Sequence, residues 1–117
     1  MMEITEWVSQ VRRGLLEFCV LRLIGTEPRY GYELVTTLNR WDFLAVTEGT
    51  LYPLLRRLLK EQYIESSWRE SETGPPRKYY ALTASGCELL ASMSAEWEKI
   101  TQAIEDLQTD NKGRNWL

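Results

Sequence analysis

A chain of 117 residues with 44% apolar and 26% charged residues has the length of one domain and the means to build a core. It holds no histidine, which removes the commonest metal ligand and general base, and no run approaching the roughly 18 to 20 apolar residues of a membrane span; no metal, cofactor, catalytic centre or membrane partner is expected. A net charge of −3 looks unfavourable for nucleic acid, and the acidic, polar opening MMEITEW is no signal peptide, so the cytoplasm is the expected compartment.

Residues 8–25 are predicted as a first helix: Val8, Val11, Leu15 and Phe18 fall on one stripe, and nearly every side chain from Leu15 to Ile24 is apolar. A helix apolar all round is covered on more than one side, here by its own domain and by a second subunit. Gly25 is the expected stop. A second helix is predicted over 29–41 behind Pro28, with Tyr30, Leu34, Leu38 and Trp41 at helical spacing. A third spans 48–62 with Thr47 as its N-cap. It buries Leu51, Leu54, Leu55 and Leu58. At about 100° per residue, Gly49, Pro53, Arg56 and Lys60 line the opposite face, flanked by Thr50, Tyr52 and Arg57. Pro53 removes one hydrogen bond and crowds the carbonyl of Gly49, so a local bend is expected there.

Residues 63–70 and 77–82 read as two strands, the first alternating Ile64, Ser66 and Trp68 with Glu65, Ser67 and Arg69, and Gly74-Pro75-Pro76 is the expected turn. Tyr80 shares a face with Leu82 and is expected inward, Tyr79 outward, and Trp68 packed on the hairpin. A fourth helix is predicted over 84–109, capped by Thr83. Its Leu90, Met93, Trp97, Ile100, Ile104 and Leu107 form a seam of period about 3.5. At a length of about 39 Å this helix outruns what one small domain covers. The seam, with Val11, Leu15 and Phe18 of the first helix, is therefore the expected interface of a homodimer. Residues 110–117 are expected to fray. Cys19 and Cys87 lie inside apolar helical patterns and read as buried thiols, with no CxxC or basic neighbourhood to suggest a redox switch.

The order helix, helix, helix, hairpin, helix is a mainly α fold with a small β-hairpin. It reads as a winged helix-turn-helix over 1–83 and a C-terminal dimerisation helix over 84–109. Charge is distributed to match. Residues 51–83 carry six bases against four acids, and residues 84–109 one base against five acids. Salt screens charges beyond about 10 Å, so a phosphate responds to the basic centre and not to the whole-chain sum. The third helix is the expected recognition helix in a major groove. Gly49, Thr50, Tyr52, Pro53, Arg56, Arg57 and Lys60 are its candidate contacts to double-stranded DNA, and Arg77 and Lys78 are those of the hairpin. The competing reading is a winged-helix module that binds protein and no DNA, motivated by the negative net charge.

The run EGTLYPLLRRLLKE (48–61), the segment YGYEL (30–34) and the hairpin segment GPPRKYYALT (74–83) together resemble the PadR family of transcriptional regulators, over roughly residues 10–100. The single C-terminal helix looks like the short subgroup of that family. The resemblance implies a homodimer, usually a repressor, whose C-terminal helix packs on the partner's first helix. In multidrug-sensing members a tryptophan of that helix lines a cavity between subunits where flat aromatic effectors stack. Trp97 falls at the matching place, Met93 lies one turn before it, and Trp7 is placed to close the same cavity. One departure stands out. The family pattern after the recognition helix often has a glycine where this chain has Gln62, and a left-handed cap there costs roughly 1 kcal/mol more with glutamine.

Overall fold

A computed structural model describes residues 3–110. The elements are α1 (Ile4–Thr26), β1 (Arg29–Tyr30), α2 (Gly31–Leu38), a 3₁₀ turn (Asp42–Leu44), α3 (Glu48–Lys60), β2 (Ile64–Ser71), β3 (Gly74–Leu82) and α4 (Ala84–Thr109). The strands form one antiparallel sheet in the order β1-β3-β2. The mainly α architecture with a β wing and a long last helix is as expected. Of the tail expected to fray, residues 111–117 lie outside the described residues.

The expected boundaries shift at both ends of α1, at both ends of α2 and in the hairpin. α1 begins four residues early, at Ile4, so Trp7 lies inside it rather than ahead of it. It also runs past Gly25 and stops where Glu27 turns extended, as the residue before a proline must. Arg29 and Tyr30 then pair with Tyr80 and Tyr79 instead of opening α2. α2 ends at Leu38, because the Asn39 side chain accepts the backbone N–H of Val46 at 2.9 Å and folds the connection back. Trp41 therefore leaves the helix stripe and stands 53% exposed. In the hairpin the turn is Glu72-Thr73, and Gly74, Pro75 and Pro76 belong to β3. Trp68, expected to pack, is 70% exposed, since β2 and β3 project beyond the helices at that point.

The core is assembled from Leu16, Val20, Leu21 and Ile24 of α1, Leu34, Val35 and Leu38 of α2, and Leu51, Leu55 and Leu58 of α3, closed by Ile64 and Tyr80 of the sheet. Each fully buried leucine contributes roughly 2 kcal/mol. The Val8, Val11 and Leu15 side of α1 is only half-buried, so α1 has two apolar faces and its own domain covers one of them. Leu54, expected in the core, is half-buried at its margin. Cys19 is half-buried and Cys87 exposed, which corrects the reading of two buried thiols: at its start α4 buries only Gly86.

One corner fixes the wing and α4 relative to α3. α3 ends with Gln62 at φ 65°, the left-handed region, while the Tyr63 N–H donates to Leu58 O and the Gln62 N–H to Leu59 O, each at 3.0 Å. This is the Schellman arrangement, built here without its usual glycine. The strained residue is held by α4: the hydroxyls of Thr83 and Ser85 donate to Gln62 O at 2.6 and 2.9 Å. Thr83 also caps α4 by accepting the Gly86 N–H at 3.1 Å. Gly86 lies so close to the Tyr63 carbonyl that a Cβ there would collide with it.

Candidate nucleic-acid interface

α3 is capped as expected: Thr47 Oγ1 accepts the Thr50 N–H at 3.3 Å. Its buried stripe seats Leu51, Leu55 and Leu58, which fixes the rotation of the helix and turns Gly49, Thr50, Pro53, Arg56 and Lys60 to solvent. Arg56 and Lys60 enter no ion pair among the described residues. They are cations with free donors on one face of a well-anchored helix. α3 runs unbroken through Pro53.

Two of the expected contacts are otherwise engaged. Arg57 bonds Glu17 of α1 at 3.0 Å and Glu61 at 3.2 Å. These carboxylates push its guanidinium still further above its ordinary pKa, the Glu17 bond being the larger cause. Tyr52 is half-buried, and its phenol occupies the space where Gly31 would otherwise carry a Cβ. Its ring packs the start of α2 against α3. In the sequence both residues read as part of the outer face, because a helical wheel places a side chain but does not show which neighbouring element reaches it.

The wing supplies the second group of cations. Arg77 is exposed and Lys78 half-buried, with its ammonium 5.8 Å from the Tyr80 ring. Burial pushes the Tyr80 phenol above its ordinary pKa, with Tyr52 adding to the shift and Arg56 opposing it. Arg77 lies 4.5 Å over the Tyr30 ring and Arg69 4.5 Å over Tyr79. Between α2, α3 and the wing runs an open cleft of about 390 Å³, lined by Tyr30, Tyr32, Tyr52, Pro75, Pro76 and Arg77. In the sequence Tyr30 reads as part of a helix stripe and Tyr32 as the residue beside it, so neither points to this cleft. A second cleft of about 280 Å³ lies on the other side of the α3 N-terminus, between Arg12, Arg13 and Leu16 of α1 and Val46, Thr47 and Thr50. Arg12 closes its edge by donating to the Phe43 carbonyl.

The other expected site lies between α1 and α4. Trp97 meets Phe18 at 6.2 Å between ring centroids, and a shallow cleft of about 170 Å³ is lined there by Gly14, Leu15, Phe18, Met93, Glu96, Trp97 and Ile100. Trp7 is not among its lining residues; it stands on the same side of α1, two turns toward the N-terminus. Along α4 the seam splits. Leu90 and Met93 pack against the chain's own core, and Phe18 of α1 is itself buried. Beyond them exposure rises steadily, from 36% at Trp97 through 48% at Ile100 and 60% at Ile104 to 76% at Leu107. No helix among the described residues is long and apolar enough to cross a membrane.

Three helices, a β-hairpin wing and a basic third helix turned to solvent define a winged helix-turn-helix protein, the build that presents one helix to a DNA groove. The particular family follows from comparison with known proteins. Residues 20–92 match the transcriptional regulator PadR-like family, and the chain belongs to it. A PadR-like transcriptional regulator from Bacillus cereus is 41% identical with a TM-score of 0.79, over 87% of this chain and 99% of that one. A PadR family transcriptional regulator from Eggerthella lenta is 34% identical with a TM-score of 0.80, over 92% of this chain and 94% of that one. An uncharacterised protein of Lysinibacillus sphaericus is 35% identical over 99 residues, 83% of this chain and 91% of that one. The resemblance and the fold class read from the sequence are thus borne out, and the chain is a transcriptional regulator rather than an enzyme.

Proposed function

We propose that this regulator is a repressor that binds a two-fold pseudo-palindromic operator as a homodimer, in the cytoplasm, with α3 in the major groove and the wing along the backbone. The observation that carries the reading is the outer face of α3, where Arg56 and Lys60 stand exposed and without an ion pair among the described residues. Arg56 and the N-terminal residues Gly49, Thr50 and Pro53 are assigned to the groove. Lys60, Arg77 and Lys78 are assigned to phosphates. Tyr52 and Arg57, engaged within the chain, contribute chiefly by holding α3 in place. The rising exposure of Trp97, Ile100, Ile104 and Leu107 supports a dimer in which a second copy covers the far half of α4, together with the Val11 and Leu15 side of α1.

The Phe18–Trp97 cleft supports an effector site. At about 170 Å³ in one chain it is too small and too open for a drug-sized ligand, and a partner subunit would complete its wall. A flat aromatic compound stacked on Trp97 beside Met93 would then couple to the spacing of the two recognition helices and shift the population between DNA-competent and incompetent forms. Fluorescence titration with planar aromatic compounds tests this part: quenching in the wild type that disappears in Trp97→Phe supports it, and equal quenching in both removes Trp97 as the contact. A gel shift tests the DNA part. Salt-sensitive binding to duplex DNA supports it, whereas binding weaker than about millimolar at low salt favours a protein-interaction module instead.

A further inference from the structure

The wing carries a stack of side chains that the face of α3 does not account for. β2 and β3 pair with Arg69 opposite Arg77 and Ser67 opposite Tyr79, and β1 sets Tyr30 opposite Tyr79. Side chains alternate across a sheet, so Arg69, Tyr79, Tyr30 and Arg77 share the face opposite to Ile64, Tyr80 and Leu82. The two rings meet edge to face at 5.4 Å between centroids, and each has a guanidinium 4.5 Å over it: Arg69 on Tyr79, Arg77 on Tyr30. The order is guanidinium, ring, ring, guanidinium.

Two like charges directly opposite on an antiparallel pair repel each other. No ion pair among the described residues compensates either arginine. Both are exposed, yet neither extends freely into solvent, because each lies on an aromatic ring. A guanidinium laid over a ring is held in orientation by the cation–π attraction and keeps its in-plane N–H donors available at its edge. Two such forks, opposed across the hairpin, make a concentrated and preorganised positive site. Arg77 also lines the cleft that Tyr52 of α3 enters, so the stack is continuous with the recognition helix.

We propose that Arg69 and Arg77 form a two-pronged clamp on two neighbouring backbone phosphates of duplex DNA beside the groove that α3 occupies, and that Tyr30 and Tyr79 are positioning residues for the two forks. Each guanidinium fork matches the two unesterified oxygens of one phosphodiester, whose charge compensates it. The clamp rests on the DNA-binding reading of α3. It adds to that reading Arg69, a contact on β2, and the requirement for two aromatic rings.

The test measures binding of the full chain to a random-sequence duplex over a series of salt concentrations. Arg69→Gln is expected to lower the slope of log K against log salt by about 1, and the double variant with Arg77→Gln by about 2, with affinity falling about equally for all sequences. Tyr79→Leu is expected to lose the Arg69 increment of the slope and the conservative Tyr79→Phe to restore it; a purely structural role would lower the melting temperature and leave the slope of the folded protein unchanged. If Tyr79→Leu does not fold, the two exposed arginine variants decide alone. An unchanged slope and affinity in Arg69→Gln, while Arg56→Ala weakens binding, overturns the clamp and leaves the α3 reading standing. A wild-type chain that binds no duplex even at low salt overturns both.

Discussion

Glu17 on α1 and Arg57 on α3 meet at 3.0 Å, and Glu61 holds the same guanidinium from one turn further along α3 at 3.2 Å. This relationship separates two adjacent arginines that the sequence presents as equals. Arg56 is unpaired and faces outward, whereas Arg57 ties the recognition helix to α1. Since α1 also carries Phe18 of the α1–α4 cleft, the pair connects the element at that cleft to the element assigned to DNA. Arg56→Ala is expected to weaken operator binding by about 1–3 kcal/mol, and Arg57→Ala by less. Because the Glu17–Arg57 pair is partly exposed, Glu17→Gln should change folding stability by less than about 1 kcal/mol. Competition gel shifts and urea unfolding of the three variants check the order.

The corner of Gln62, Tyr63 and Gly86 makes opposite predictions for two glycine positions. Gly86→Ala would drive a methyl group into the Tyr63 carbonyl, a backbone atom pinned by the Thr83 N–H at 3.1 Å, and should destabilise by about 1–3 kcal/mol or more. Gln62→Gly relieves a left-handed residue and should stabilise by up to about 1 kcal/mol, less the entropy glycine gains in the unfolded chain. Urea midpoints measured at constant m-value report both.

Alkaline pH should destabilise the domain. Burial pushes the Cys19 thiol above its ordinary value of 9.0, against a smaller opposing pull from Arg22, and raises the Tyr80 phenol above 10.0. Both groups are neutral acids held protonated by the fold, so the unfolded chain ionises first. Their contribution is therefore intact below the ordinary values and is lost as pH rises through the raised ones, starting above about pH 9. Tyr80→Phe should show a shallower decline of stability on the alkaline side than the wild type. In the native protein Cys87, being exposed, should alkylate before Cys19.

The far half of α4 predicts the assembly. Ile104→Glu places a charge where the single chain leaves an apolar side chain exposed, so it should leave the monomer's fold intact and shift the equilibrium from dimer to monomer. Sedimentation at micromolar concentration checks it. A wild-type chain that is already monomeric there would contradict the interface assigned to this seam.

Periodicity and capping residues made α3 and α4 and their Thr47 and Thr83 caps legible in the sequence, whereas the third helix was expected to run through Gln62, which instead turns left-handed beyond its end. The misreadings share a cause. Tyr30 and Trp41 fit a helical spacing, but Tyr30 is claimed by β3 far along the chain and Trp41 is cut off by the Asn39–Val46 bond, neither of which an apolar periodicity carries. Taking Gly74-Pro75-Pro76 as the turn hid the register that sets Arg69 opposite Arg77. Glu17 offered no signal of its own, being one acid in an apolar helix until α3 packs beside it.

The central claim is tested most directly by the salt dependence of duplex binding by the full-length protein. With Lys60, Arg77 and Lys78 of each of two subunits on phosphates, affinity should fall by roughly a thousandfold or more between about 50 and about 200 mM salt. Affinity that does not change with salt, or no binding at about 50 mM, would contradict the assignment of α3 and the wing to DNA.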